Sequence, residues 1–532
     1  MTPDDWWRGA VLYQIYPRSF SDSNGDGVGD LPGIAARLGH VARLGVDGVW
    51  IAPFFPSPMK DFGYDVSDFR GVDPMFGTLD DFDRLIAEAH RLGLKVLIDQ
   101  VWSHSSDRHP WFLESCADPQ GPCADWYVWA DSRPDGGPPN NWQSVFGGPA
   151  WAWDPRRRQY YLHHFLSSQP KLNLRDEGVV AALLDAAEFW LRRGVDGFRL
   201  DAVDFMLHDP ALADNPPRPP PGGVTPVKPF ALQHHAHDLA HPDTTAVMGR
   251  LRALLDRWPG RAALAEVSSE PGAFGRCDHY SGGAGGRLHM AYTLGLTRRR
   301  FHAADLRATI AEIESHFTDG WMCWAFSNHD VERVASRWGD GSPEAAKLLM
   351  ALLLCQRGSV CVYQGEELGL GEAEIPEDRL RDPYGIAFWP QFKGRDGCRT
   401  PMPWLAAAPH AGFSTTEPWL PLPDEHRALA VDRQEADPGS TLHAWRRFLA
   451  WRKTRPALAR GAATLVEAPG DVLAVARRLG DETVLCLFNL GEGPAIVPVP
   501  DGARPIDGHG FHWETDATGV RLPRWGAAFL SL

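Results

Sequence analysis

A chain of 532 residues is longer than one hydrophobic core usually fills, which implies a large domain with at least one smaller companion. With 44% hydrophobic and 23% charged residues, the composition is that of an ordinary globular protein. The formal net charge of −15 argues against nucleic acid or an anionic membrane surface as partner and favours a neutral ligand.

Residues Met1 to Trp7 hold neither the basic region nor the apolar stretch of a secretory signal, and no run is long enough to cross a bilayer. The 8 cysteines are scattered, several inside apolar strand-like runs and none at metal-site spacing. Buried reduced thiols and a cytoplasmic location are the expectation.

Short apolar runs then alternate with longer amphipathic ones, the pattern of repeated βα units in an α/β fold. Strands are expected at 11–17, 46–53, 95–101, 194–201, 262–267, 289–294, 321–328 and 359–364, and helices at 34–44, 79–92, 179–192, 244–255 and 343–356. Eight parallel strands close a (β/α)8 TIM barrel. Two connections are too long for tight turns. The first, 104–172, reads as an inserted subdomain; the second, 207–242, has a proline-rich run and several histidines and reads as an irregular lid. Both follow strands, so both would sit over the barrel's C-terminal face. After about Trp451, short alternating runs at 472–476, 483–489, 495–499 and 527–532 predict a C-terminal antiparallel β-sandwich. The expected division is barrel 1–103, subdomain 104–172, barrel 173–453 and sandwich 454–532. The glycine cluster 282–286 lacks the strand-turn-helix context of a nucleotide loop and reads as a flexible loop.

Acidic residues at the ends of separate strands carry the chemical signal: Asp99 with His104 nearby, Asp201, Glu266 and Asp330. A single carboxylate at a strand end commonly caps a helix. Strand ends of a closed barrel converge on one rim, however, and two carboxyls in different environments suffice for glycoside hydrolysis. In a strand, residues i and i+2 share a face, so Arg199 projects beside Asp201 and would hold it ionised.

These residues lie in short ordered motifs: Asp99-Gln100-Val101-Trp102-Ser103-His104, Gly197-Phe198-Arg199-Leu200-Asp201, Leu264-Ala265-Glu266-Val267 and Phe326-Ser327-Asn328-His329-Asp330. Gln169-Pro170-Lys171-Leu172-Asn173 and a run from Gly394 to Trp404 complete the set. Through them the chain resembles the α-amylase superfamily of retaining glycosidases, glycoside hydrolase family 13, in its α-glucosidase and oligo-1,6-glucosidase branch. The resemblance implies Asp201 as nucleophile, Glu266 as acid/base and Asp330 as transition-state stabiliser. It further implies that Arg199 keeps Asp201 ionised, that His104 and His329 bind glucose hydroxyls, that Tyr64 floors the sugar ring, and that Asp61 pairs with Arg399 to close the pocket. Phe146 and Phe165 are open between pocket wall and core; Phe230 and His234 would shape the leaving-group side.

Asp22-Ser23-Asn24-Gly25-Asp26-Gly27-Val28-Gly29-Asp30 places oxygen ligands at alternate positions with a glycine at the turn. Similar loops in this branch bind Ca²⁺ or Mg²⁺, which assigns a structural ion to Asp22, Asn24, Asp26, the Val28 carbonyl and Asp30; an Asx-rich turn without an ion is the alternative. Ser103 stands where a second calcium site would need asparagine, and no organic cofactor is implied. The expected activity is exo-acting α-glucosidase on short α-glucosides, with an α-glucosyltransferase or a sucrose-isomerising enzyme as alternative and a non-catalytic sugar-binding relative behind both. Ala202 and Lys171 depart from the valine and aspartate of α-1,6-selective relatives, which favours α-1,4 bonds.

Overall fold

The barrel strands are short and wholly apolar except where they reach the rim. In the computed structural model, which describes residues 5–220, 226–268, 271–282, 286–516 and 518–532, they are Val11–Ile15, Gly48–Ile51, Lys95–Gln100, Gly197–Leu200, Ala262–Val267, Met290–Thr293, Cys323–Ala325 and Ser359–Tyr363. Part of the proline-rich run and residues 283–285 of the glycine cluster lie outside the described residues. All eight strands pair in parallel in chain order, the first also with the eighth, and a parallel bridge between Ala291 and Met322 joins the sixth to the seventh. The barrel expected from sequence is therefore present. Leu12, Trp50, Leu97, Leu264, Met290 and Cys361 help fill its interior, with Trp6 and Trp7 in the same cluster.

Around it, helices start where caps permit. Helix Leu31–Leu44 begins at Asp30, whose carboxylate accepts the Gly33 N–H at 2.6 Å, and stops at Gly45, which takes φ 91°. Helix Leu79–Arg91 begins with a reciprocal Thr78–Asp81 capping box and buries Phe82, Leu85, Ile86 and Ala89 on one stripe. Helices Ala273–Tyr280 and Ala303–His316 were not anticipated: the first is only 8 residues long and the second has a weak apolar stripe, and both contribute side chains to the hydrophobic core.

The connection after the third strand holds helix Pro110–Ala117 and a three-stranded antiparallel sheet, Trp129–Ala130, Gln159–Leu162 and Trp151–Asp154. The connection after the fourth is fastened to it. Asn141 donates to Asn215 O (2.9 Å), accepts from Asn215 N (2.8 Å), and its carbonyl accepts from Gln233 (2.7 Å).

The C-terminal part is a five-stranded antiparallel sheet facing a three-stranded one, with Ala474, Leu485, Val520, Leu522 and Leu530 among the residues between them. The strand Ala462–Val466 escaped the sequence reading because it is an edge strand without a buried face. Arg477 is fully buried on the sheet's barrel side and donates to the carbonyls of Cys355, Leu458 and Gly461.

Replacing Arg477 with Met strands three buried carbonyls and should cost about 3 kcal/mol of stability. Urea unfolding checks this; a loss below about 1 kcal/mol would mean that the sandwich is held by apolar packing alone.

Candidate active site

Strand register explains how four distant residues meet. Asp99 pairs in register with Arg199, Arg199 with Leu264, and Glu266 with Tyr292. Neighbouring registers put equivalent side chains on one face, here the barrel interior, and Asp201 follows Arg199 two positions on. Arg199 is completely buried, over the ring of Trp50 at 4.7 Å. Its Nη1 donates to Asp99 Oδ1 at 2.7 Å and to Asp201 Oδ1 at 2.8 Å. Its Nη2 donates to Glu266 Oε2 at 2.5 Å and to the Tyr292 hydroxyl at 3.0 Å. Asp201 and Glu266 are thus hung on adjacent nitrogens of one guanidinium.

One positive charge cannot neutralise three carboxylates. Burial pushes Asp99 up to about 6 even though Arg199 pulls against it, and burial likewise raises Asp201 well above the usual carboxylate range, with the charges of Glu266, Asp99 and Asp330 adding to the rise. The expected role of Arg199 is therefore corrected in part: it touches Asp201, but it divides its charge among three acids and touches no cavity. Asp99 and Asp201 therefore hold protons more tightly than isolated carboxyls would, with Arg199 working against the rise at both.

Glu266 accepts from Arg199, from the Ala202 N–H at 3.1 Å and from the Tyr292 hydroxyl at 3.0 Å. Ala202 can present that N–H because the chain turns through φ 43°, ψ 52° directly after Asp201. A left-handed alanine costs about 1 kcal/mol and marks a backbone held for function.

Asp330 is the opposite case. Burial opposes its ionisation, but His329, Arg395 and Arg399 together hold its carboxyl well below the usual range. Arg399 Nη2 and Arg395 Nη1 donate to its Oδ1 at 2.8 and 3.2 Å. The expected Asp61–Arg399 pair does not form. Asp61 accepts from Arg395 Nη2 at 2.8 Å, and Arg395 is itself fixed by Asp382 at 2.7 Å, while Arg399 spends its Nε on the His329 carbonyl at 2.7 Å. Arg395 and Asp382 were not singled out by sequence; the Gly394-to-Trp404 motif was the available signal.

These groups meet at a cavity of about 390 Å³. Asp61, Asp201, Glu266 and Asp330 line it, with Tyr64, His104, Phe146 and Phe165. Phe146 and Phe165 are thereby pocket walls. Arg199, His329 and Arg399 are not lining residues; they stand behind those that are. His329 stacks between Tyr64 and Tyr16 with ring centroids 5.3 and 5.4 Å away, so Tyr64 is braced from behind. Gln14 donates to His329 Nδ1 at 2.7 Å, while His329 Nε2 and Arg399 Nη1 are buried without hydrogen-bond partners. Burial pushes His104 and His329 both down to about 3, so each is a neutral imidazole. Phe205, Phe230, Leu294 and Tyr384 complete an apolar outer wall; His234 is exposed and lies at a neighbouring hollow. Lys171, fully buried, donates to the carbonyls of Phe205 and Met206 and so fixes the turn that carries Phe205.

In the loop 22–30 the structure shows hydrogen bonds. Asp22 accepts from the N–H groups of Asn24, Gly25 and Gly27 and from Ser414; Asn24 and Asp26 each accept the N–H two residues on; Asp30 is taken by Gly33 and Ser23. Among the described residues, no three His, Cys, Asp or Glu side chains stand together as a metal-binding group.

The family described as "Alpha amylase, catalytic domain" matches residues 14–461. The chain is 53% identical over its whole length to a probable alpha-glucosidase of Rhizobium meliloti, covering 98% of that protein. It is 34% identical to a probable oligo-1,6-glucosidase of Bacillus subtilis, with 92% of each chain covered. Among solved structures, an alpha-glucosyl transfer enzyme, XgtA, superposes with a TM-score of 0.96 at 52% identity, and a variant of isomaltulose synthase from Erwinia rhapontici, in complex with its natural substrate sucrose, with 0.89 at 30%; each comparison covers 99% of both chains.

Because Arg199 lowers the proton affinity of Asp99 and Asp201, the Arg199→Met variant should move the acidic limb of the kcat/KM profile upward by about one pH unit or more, besides lowering its maximum. A limb that stays in place would show that Arg199 does not set the charge of the site.

Proposed function

The chain belongs to the alpha-amylase catalytic-domain family, and we propose that it is a retaining, exo-acting α-glucosidase. The observation that carries this reading is the pair Asp201 and Glu266 on one guanidinium at the base of a small cavity. Asp201 attacks the anomeric carbon while Glu266 gives its proton to the glycosidic oxygen, so the aglycone leaves as an alcohol and a covalent glucosyl ester remains. Glu266 then takes a proton from water, whose oxygen attacks the same carbon, releasing Asp201 and glucose with retained configuration. The three donors now on Glu266 suit its base form; as acid it turns one oxygen to the cavity. Asp330, held ionised, stabilises the oxocarbenium-like transition state.

His329 and Arg399 stand behind the wall and hold Tyr64 and Asp330 toward the glucose. The Asp61–Arg395–Asp330 cluster, in place of Asp61–Arg399, would grip the terminal glucose and block a longer chain from passing. Maltose-type disaccharides, short oligosaccharides and aryl or alkyl glucosides are the substrates, and Ala202 favours α-1,4 bonds. The apolar outer wall supports transfer to alcohol acceptors beside hydrolysis. Among the described residues no helix is long and apolar enough to cross a membrane, and all 8 cysteines are buried and unpaired, which supports a reducing, cytoplasmic setting. We propose that loop 22–30 also holds a structural Ca²⁺ or Mg²⁺, through carboxylate oxygens that its turn bonds leave with free lone pairs.

Asp201→Asn should lower kcat/KM for p-nitrophenyl α-glucoside by about 10⁴-fold or more, and proton NMR of the wild-type reaction should show α-glucose first. β-Glucose as first product, or an active Asp201→Asn protein, would overturn the mechanism.

Chelation with EDTA should lower the melting temperature by a few degrees, restored by Ca²⁺ or Mg²⁺, if the loop holds an ion. An unchanged melting temperature would leave it an Asx-rich turn.

A further inference from the structure

The outer half of the cavity has a charge pattern that a neutral disaccharide does not use. All four acidic lining residues, Asp61, Asp201, Glu266 and Asp330, belong to the glucose-binding end. The charged groups on the outer wall are cationic: Lys228 and Arg218 from the lid, and Arg298 from the turn after the sixth strand. Such a grouping runs against a chain that carries 68 acidic and 53 basic residues.

Lys228 is half-buried, its ammonium 3.9 Å from the ring centre of Tyr384 and 3.6 Å from that of Phe392. The rings offer it cation–π attraction, but no carboxylate. Burial and then the nearby charges of Arg298 and Arg395 push it down to about 8; Asp382, the one acid acting in its favour, already accepts from Arg395 and from the Arg395 N–H at 2.7 Å. Among the described residues, neither Lys228 nor Arg298 has an ion-pair partner. Two cations that face one cavity and repel each other are stabilised when an anion enters between them.

We propose that the leaving-group side of this pocket binds an aglycone or acceptor bearing an oxyanion, a carboxylate or a phosphate, between Lys228 and Arg298. The inference rests on the α-glucosidase reading and adds a substrate class to it: α-glucosides of hydroxy acids or of phosphorylated alcohols. The chemistry is unchanged. The acid-bearing alcohol departs with the glycosidic oxygen and the proton of Glu266, and in transfer it returns that proton to Glu266 as its oxygen attacks the glucosyl ester. The aromatic walls at Phe205, Phe230 and Tyr384 offer the oxyanion no charge, and Arg218 is already partnered, so Lys228 and Arg298 would dominate its placement.

The test compares kcat/KM for 4-carboxyphenyl, 4-phosphonophenyl and 4-(methoxycarbonyl)phenyl α-glucosides. The ester gives the better leaving group, so intrinsic reactivity works against the anionic substrates. We expect at least one anionic substrate to be preferred about tenfold, and the arm that wins identifies carboxylate or phosphate. The preference should shrink as ionic strength approaches about 1 M, where screening acts over ~3 Å, and should fall toward unity in Lys228→Met and in Arg298→Gln. An anionic-to-ester ratio at or below one in the wild type, or a preference that survives both substitutions, overturns the proposal. Failure to cleave all three substrates would instead overturn the α-glucosidase reading itself.

Discussion

A single fully buried guanidinium, that of Arg199, sets the terms for the rest of the molecule. It is bound by Asp99, Asp201, Glu266 and Tyr292, and it lies over Trp50 inside the barrel. Burying one cation is costly, and burying three carboxylates around it is costlier, so the arrangement persists only because each partner is hydrogen-bonded and each is carried on a barrel strand or, for Asp201, directly after one. Asp330, with two arginines donating to it, has the opposite balance. Charge deficit on one side of the sugar and charge excess on the other give carboxyls of the same chemistry different tasks.

The scaffold serves this constellation through connections as much as through strands. The inserted subdomain brings Phe146 and Phe165, and Asn141 ties it to the lid. Lys171 holds the turn that carries Phe205, and Asp204 accepts from Ser268 and Arg276 while its carbonyl accepts the Ala240 N–H, which fastens the far end of the lid to the fifth strand. The four acidic lining residues therefore lie at or near the barrel's strand ends, whereas the outer wall of the cavity is assembled from loops. Relatives that share the first part and differ in the second can diverge in what they accept, as the names glucosidase, glucosyl transfer enzyme and isomaltulose synthase suggest.

Much of this was legible in the sequence because strand periodicity and rim chemistry are local signals. All eight barrel strands were placed to within a few residues, and Asp61, Tyr64, His104, Asp201, Glu266 and Asp330 do line one cavity. The failures have a common cause. Pairing Asp61 with Arg399 instead of Arg395 turned on which of two arginines four residues apart faces the pocket, and that is fixed by Asp382, which no motif flagged. Phe205, Tyr384 and Lys228 were invisible because their neighbours come from loops whose course depends on tertiary contacts. The division of Arg199 among three acids was equally hidden, since only strand register reveals that Asp99 and Glu266 sit beside it.

The mechanism requires Asp201 to be the residue that bonds to glucose. Incubation with 5-fluoro-α-glucosyl fluoride, followed by proteolysis and tandem mass spectrometry, reads this directly. One fluoroglucosyl adduct is expected, on Asp201 in the peptide containing Gly197-Phe198-Arg199-Leu200-Asp201. An adduct on Glu266 or Asp330, or turnover through an intermediate that cannot be trapped on any carboxylate, would contradict it.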